Sequence, residues 1–561
     1  MCGIIGFNWE DKKLIRKMMK VVEHRGPDQS GYYTDKNISL GHQRLSIIDL
    51  SDKGKQPMSN ENGNLLLIYN GEIYNFKELR KELERKGHRF KSNTDSEVIL
   101  HAYEEYEEKC LERFNGMFAF CLYDINKKIF FLARDKVGIK PLYYYFKDNK
   151  FIFASEIKAI LEHSIKREIN LDSLNKILSF RIIPGEDSIL KDIKKLLPGH
   201  YLVYKDNKIE INGYDVNLDY NKNFLDLFED SVKKEMIADV PIGAFLSGGL
   251  DSSSIVGMMS KISNNVRTFT AGFNQERDEF KYAKRVAEYF GTDHYEVLVD
   301  YDDMNKNFDK ILYHMDEPIL NPAIFPVYFV SKLAKKGVKV VLTGDGADEL
   351  FAGYTKYNIL KYPKFVPNMI KREIYIRYAD RIFKKEKKSL LKFQVNDVNN
   401  IIRNYFYEKS NINGGLSFDF KESLPNFELM KVDKMTMANS LEARVPFLDM
   451  RIVKFSEKLN ENEKLKNKVG KYFLRQNIKD IIPKEIIEGN KRTFFTPQKE
   501  WFNNGLREIA SNDLEKSELF NKEFIKKLFE KEKNSFRRYK YSNQLWCLLI
   551  IEKWHSKWIE K

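Results

Sequence analysis

Cys2 stands directly behind Met1 and ahead of the apolar run "GIIGF". A thiol that attacks a carbonyl needs a nearby base, donors for the oxyanion and a group that holds the substrate. Once Met1 is removed, Cys2 carries its own base, an α-amine whose pKa near ~8 leaves a neutral fraction at pH 7. A cysteine at this position is by itself ordinarily incidental, but four other stretches supply what the thiol lacks. "HRGPD" (His24 to Asp28) sets Arg25 in a Gly-Pro turn fit to hold a loop beside a site, and "GHQRLSIID" carries Arg44, a clamp for a substrate carboxylate. "YNGEIYN" puts Asn70 and Gly71 at a strand end, where a side-chain amide and a backbone N–H can form an oxyanion hole. "SNTDSEVIL" offers Asp95 at a helix N-terminal turn, where a helix cap is the plain reading.

A second set of residues suits phosphate. "FLSGGLDSS" (Phe245 to Ser253) places two glycines and several hydroxyls between a strand and a helix, so backbone N–H groups can close around an anion. No Gly-Lys-Ser/Thr follows, so this is not a Walker A loop. Further on, "VVLTGDGADELFAGY" sets Asp345, Asp348 and Glu349 beside glycines. Clustered carboxylates repel unless protons or cations neutralise them, and Mg²⁺ with phosphate does so.

Elements must position both sets. At 561 residues the chain exceeds one ordinary core, and its 42% hydrophobic content supports packed interiors rather than disorder. Up to about residue 200, short alternating strands such as "LLLIYNGEIYN", "MFAFCLYD", "KIFFLARD", "LYYYF", "FIFAS" and "HYLVYKDNKIEI" alternate with helical patterns at "NFKELRKELERKG" and "DSEVILHAYEEYEEKCLERF". That mixture predicts antiparallel sheets covered by helices. Afterwards strands "PIGAFLS", "RTFTAGF", "HYEVLVD" and "VKVVLTG" alternate with helices, which predicts a parallel sheet with helices on both faces. The stretch beyond residue 360 reads as helix-rich.

The net charge of +14 raises nucleic acid or an anionic membrane as partners. Acids interrupt even the densest basic stretch, "RIFKKEKKSLLKF", and no zinc-finger or aromatic-basic motif accompanies it, so neither partner is expected. No apolar run reaches membrane-helix length. Four cysteines (Cys2, Cys110, Cys121, Cys547) without a C-x-x-C pair favour a reducing compartment, and the cytoplasm is expected.

The N-terminal motifs, with "RDKVGIKPLYYY" and "ASEIKAI" following in order, resemble the class II glutamine amidotransferases, the N-terminal-nucleophile (Ntn) glutaminase domains. "SGGLDSS" resembles the pyrophosphate loop of ATP-pyrophosphatases, and "DKMTMANSLEARVPFLD" and "GKYFLRQ" complete the order. Over nearly its full length the chain resembles the glutamine-hydrolysing asparagine synthetases. The resemblance implies an N-terminal α+β Ntn-hydrolase-like sandwich (αββα) over 1–215. It also implies a C-terminal α/β domain over 216–561, like the adenine nucleotide alpha hydrolases, with a parallel sheet and extra helices. Cys2 is then the nucleophile toward glutamine, with Asn70 and Gly71 as the oxyanion hole. Arg44, Leu45, Ser46, Ile47, Ile48, Asn70, Gly71, Glu72 and Asp95 bind glutamine. ATP falls to Leu246, Ser247, Gly248, Gly249, Asp251, Ser252, Ala271, Thr343 and Gly344, and Mg²⁺ to Asp251 and Asp348. Asp345 and Lys471 are catalytic, Lys471 stabilising charge on an adenylated intermediate. Ammonia, nucleophilic only when unprotonated, implies a water-poor passage between two sites, and a homodimer is what the resemblance suggests.

Two positions depart from the family pattern, which often has Glu at Asp345 and Ser at Thr343. They keep open a related ATP-dependent amidotransferase whose acceptor is another carboxylate, such as a uronic acid in polysaccharide biosynthesis. The loop "DEPILNPAIFP", where the acceptor is sought, does not identify it by inspection. A non-catalytic regulatory homologue is the alternative of another class. Its signature would be loss of Cys2 or Asp251, and both are present.

Overall fold

The computed structural model describes all residues except 274–278, 364, 380–385, 394–395, 408, 490–495, 535–537 and 561. The start of the basic stretch "RIFKKEKKSLLKF" therefore lies outside the described residues.

The N-terminal half builds two six-stranded antiparallel sheets. In the first, Gly3–Phe7 lies between Ile38–Arg44 and Lys150–Ala154. In the second, Leu65–Ile73 pairs with Gly116–Asp124 along its whole length. Successive side chains of a strand face opposite ways, and both sheets use this. Leu66, Ile68, Ala119 and Cys121 meet Ile4, Leu40 and Phe153 between the sheets. Leu67, Tyr69, Phe120 and Leu122 turn outward beneath the helices Phe76–Arg85 and Ser96–Tyr106. Ile5 and Phe7 turn outward beneath the helix Lys12–Val21, and four layers, αββα, result. The long helix expected in "DSEVILHAYEEYEEKCLERF" stops early: Glu107 takes a left-handed φ of 48°, and a 3-10 segment, Glu107–Arg113, follows to bury Cys110 and Leu111.

The C-terminal half holds a five-stranded sheet, ordered Asp293–Leu298, Arg267–Gly272, Ile242–Phe245, Val340–Leu342, Glu442–Arg444, with every pair parallel. Four of these strands are legible from apolar runs. The fifth, Glu-Ala-Arg, carries no such signal and is recruited by its neighbour. The strand order reverses beside Ile242–Phe245, and a ligand crevice opens at the carboxyl ends of strands at such a switch point. "SGGLDSS" leaves the sheet there. The two halves share buried surface: Ile160, Leu161 and Leu174 lie in one contiguous apolar cluster with Met315, Leu545 and Trp554. No helix among the described residues is long and apolar enough to cross a membrane.

Candidate active sites

Cys2 immediately precedes the strand Gly3–Phe7 of the first sheet and is buried. Its backbone N–H donates to Asn70 Oδ1 at 2.9 Å, and its carbonyl accepts from Arg25 Nε at 3.0 Å. The loop-holding role read from "HRGPD" is thus literal. With Met1 in place, the Cys2 nitrogen is an amide donor and no base. Burial pushes the Cys2 thiol up, against the N-terminal ammonium, the Leu45 N–H and Arg44, all of which favour thiolate.

Asn70 keeps its Nδ2 buried without a hydrogen-bond partner, a donor held ready. Strand alternation sets the direction of the Gly71 N–H. Tyr69 and Ile73 turn their N–H groups away from the paired strand, to Gln56 Oε1 (2.7 Å) and Asp95 Oδ2 (2.8 Å). The Gly71 N–H, between them in period-2 register, faces the same edge. A Cβ at Gly71 would lie 2.1 Å from the Met117 carbonyl, so no other residue fits this approach. Asp95 is not a helix cap: its Oδ2 instead accepts from the Ile73 N–H and from the Tyr69 hydroxyl at 2.7 Å. Arg44 turns its guanidinium onto its own loop, donating to the Ile48, Asp49 and Ser51 carbonyls and to Gln29 Oε1, and so shapes residues 45–51. Leu45 and Ile47 point their side chains into a core shared with Phe224 and Val232, leaving backbone groups to the site. The Ser46 N–H is held by Asp28 at 2.9 Å, and Ile48 is partly buried against that core.

The second half closes this site from above. The Met1 ammonium donates to Glu442 Oε2 at 2.7 Å, and Arg444 joins Glu442 (2.6 Å) to Glu72 (3.1 Å). Burial and neighbouring Asp95 raise the Glu72 carboxyl well above its ordinary range. Arg25 reaches both Glu156 and Asp433 at 2.9 Å, while Asp316 takes Lys158 (2.7 Å) and Lys434 (2.6 Å). Asp316, in the loop where the acceptor was sought, is therefore a buried counterion. Glu156, Asp433, Lys434, Glu442 and Arg444 all lie in strings that the sequence marks only as family patterns. Charges inside such otherwise apolar strings were the one available signal.

At the switch point the two glycine-rich loops interlock. Gly248 adopts φ 68°, and a Cβ there would lie 2.4 Å from the Tyr282 carbonyl carbon. Ser252 Oγ accepts from the Ser247 N–H at 3.2 Å, and Gly249 caps the helix Leu250–Ile262 by position. Gly344 lets the two loops touch, since a Cβ would meet Asp251 Cβ at 2.7 Å. Leu246 and Ala271 are core residues at strand ends, tied by Thr270 Oγ1 donating to the Leu246 carbonyl. Thr343 Oγ1 donates to Asp345 Oδ2 at 2.7 Å, and desolvation raises Asp345 against nearby Lys431. Lys471, left-handed at φ 55°, places Nζ 2.5 Å from Asp251 and 2.7 Å from Asp348. One ammonium thus sits between two carboxylates, an all-oxygen donor set that suits Mg²⁺. Lys431, paired with Glu428 at 2.5 Å, was not singled out from sequence.

Glu349 is buried, and burial plus repulsion from Asp348 pushes its carboxyl up to about 8. The folded chain then holds a proton that the unfolded chain releases near its ordinary value of 4.5, so stability falls as pH rises from there toward 8. Glu349→Gln removes that titration. Its denaturant midpoint relative to the native chain should rise between pH 5 and pH 8, and a pH-independent difference would contradict the assignment.

The asparagine synthase family profile matches residues 223–556, and a glutamine amidotransferase domain matches residues 1–215. Asparagine synthetase [glutamine-hydrolyzing] 1 of Bacillus subtilis is 34% identical over 100% of this chain and 97% of its own. The chain belongs to the glutamine-hydrolysing asparagine synthetase family. A putative family member from Methanocaldococcus jannaschii is 40% identical over 65% of this chain and 79% of its own. A more distant relative, amidase chyE of Penicillium rubens, is 27% identical over 89% of each chain.

Proposed function

We propose that the chain hydrolyses glutamine in residues 1–215 and uses the released ammonia in residues 216–561 to convert aspartate to asparagine with ATP. The observation carrying this reading is that the Cys2 end is held from the other half: Arg25, bonded to the Cys2 carbonyl, is paired to Asp433. After Met1 is removed, the Cys2 α-amine takes the thiol proton and the sulfur attacks the glutamine amide carbon. Asn70 Nδ2 and the Gly71 N–H stabilise the oxyanion. Ammonia leaves, and water releases glutamate from the thioester.

In the second site the aspartate β-carboxylate attacks the α-phosphorus of ATP, pyrophosphate leaves, and ammonia then displaces AMP. The SGGLDSS backbone cradles phosphate, with the helix Leu250–Ile262 directing its N-terminal dipole there. Mg²⁺, held by Asp251 and Asp348, would offset phosphate charge, and Lys471 pairs with both carboxylates. A cavity of about 10 Å³ at the junction is lined by Ile139, Leu142, Tyr143, Pro425 and Met430 together with the charged Arg134, Lys195, Asp433 and Lys434, and is on the scale of one water-sized molecule.

Asp345 and Thr343 favour the second reading, an acceptor other than aspartate, because a shorter acid moves the carboxylate by about one methylene. Pyrophosphate release screened with aspartate, uronic acids and other carboxylates decides between them. Stimulation by aspartate is expected; stimulation by a uronic acid alone would replace the main reading.

A further inference from the structure

The outer face of the glutaminase half gathers two imidazoles and two carboxylates that the chemistry above does not use. His101 and Glu104 lie three residues apart on one face of the helix Ser96–Tyr106. His88 comes from the segment after the helix Phe76–Arg85, and Glu61 from the turn before the strand Leu65–Ile73. One ligand atom from each falls within 4.8 Å of all the others. His101 Nδ1 lies 3.0 Å from Glu104 Oε2 and 3.9 Å from Glu61 Oε2, and His88 Nδ1 lies 3.7 Å from Glu104 Oε2. Tetrahedral zinc with bonds of about 2.0–2.1 Å spaces its ligands about 3.4 Å apart, inside that spread.

The atoms of these groups that would not face a cation are held from behind. Asn60 Nδ2 donates to Glu104 Oε1 at 2.7 Å, and the Arg89 N–H donates to Glu61 Oε1 at 2.7 Å. His88 Nε2 meets Glu105 Oε1 at 3.0 Å, and the buried His101 Nε2 looks toward Glu97 Oε1 at 3.7 Å. Metal-ligating histidines are oriented by a carboxylate at the far ring nitrogen, as His88 is by Glu105, whereas the His101 Nε2 has the Glu97 charge nearby but no hydrogen bond. Two carboxylates also balance the charge of a divalent ion, with both imidazoles neutral.

We propose that Glu61, His88, His101 and Glu104 form a site for a divalent transition cation, with zinc as the fitting ion. It would clamp the turn at Glu61 and the segment at His88 onto the helix Ser96–Tyr106, which Asp95 immediately precedes. His101 is about 9 Å along that helix from Asp95 at 1.5 Å per residue, so the cation stiffens the glutamine pocket without touching it. The competing arrangement is a metal-free network in which protonated His101 bonds Glu104 and Glu97.

The test is zinc titration of the chelator-treated full chain, beside His88→Gln and Glu61→Gln, both outside the catalytic machinery. Cys2 can bind zinc in all three chains, so the readout is the difference between them. The native chain should bind one zinc equivalent more than either variant and gain a few degrees in melting temperature that the variants lack. Cobalt(II) in the same place should show tetrahedral ligand-field absorption, absent from both variants. Equal zinc stoichiometry in the three chains, or no zinc-dependent melting shift in the native chain, overturns the proposal. Glutamine hydrolysis with the site empty is a separate measurement, so its outcome and that of the proposed function stay distinguishable.

Discussion

Replacing Cys2 with alanine should abolish glutamine-dependent amide formation and leave ammonia-dependent formation near the level of the unaltered chain. The loss of glutaminase rate is expected to be at least ~10³-fold, the scale for removing a nucleophile. The change is confined because Cys2 is tied to its surroundings by backbone. Its N–H to Asn70 Oδ1 and its carbonyl to Arg25 Nε do not involve the sulfur. Alanine keeps both, so the Arg25 bridge to Asp433 stays, and the second half is built as before. Product formation from glutamine and from ammonium salts, assayed side by side, checks this. Loss of both activities would sink the two-site scheme, since ammonia supplied from outside bypasses the thiol.

Asp251→Ala should abolish acceptor-dependent pyrophosphate release, by at least ~10³-fold, while basal glutamine hydrolysis persists. Asp251 and Asp348 share the Lys471 ammonium at 2.5 and 2.7 Å. Deleting one carboxylate halves the negative charge available to a divalent cation and leaves Lys471 drawn to Asp348 alone. Both changes weaken phosphate neutralisation at the point where charge develops. The Asp251 side chain is 23% exposed, at the rim of the crevice, so the fold should tolerate the change. Melting temperature provides that control. A variant that still releases pyrophosphate at the native rate would remove Asp251 from the metal assignment.

Local pattern exposed most of the framework. The alternation in "LLLIYNGEIYN" and "MFAFCLYD" emerges as the paired strands Leu65–Ile73 and Gly116–Asp124, because one apolar set faces the opposing sheet and the other the helices. The apolar strands around "SGGLDSS" and "VKVVLTG" emerge parallel and adjacent. The strand Glu442–Arg444 stayed hidden, since a three-residue polar segment becomes a strand only by docking beside Val340–Leu342. Asp95 looked like a cap from its neighbours in sequence. Its actual partners, Tyr69 and Ile73, arrive from another element. Arg44 reads in sequence as a clamp for a substrate carboxylate; in the fold its two terminal nitrogens donate to Gln29 and to carbonyls of the loop that follows.

By itself the sequence determined the two chemistries, because a thiol behind Met1 and a glycine-rich strand–helix turn are local in the chain. Tertiary structure alone decided how the two are joined. Arg25, Glu156, Lys158, Asp316, Asp433 and Lys434 come from distant segments and are buried together, as are Glu442, Arg444 and the Met1 ammonium. A buried charge is tolerable only beside its complement, and that complement is fixed by which strands and helices meet. In "MCGIIGFNWE" a candidate nucleophile is readable. Its clamp from the second half is not, because Asp433 stands 408 residues from Arg25, the residue that holds the Cys2 carbonyl.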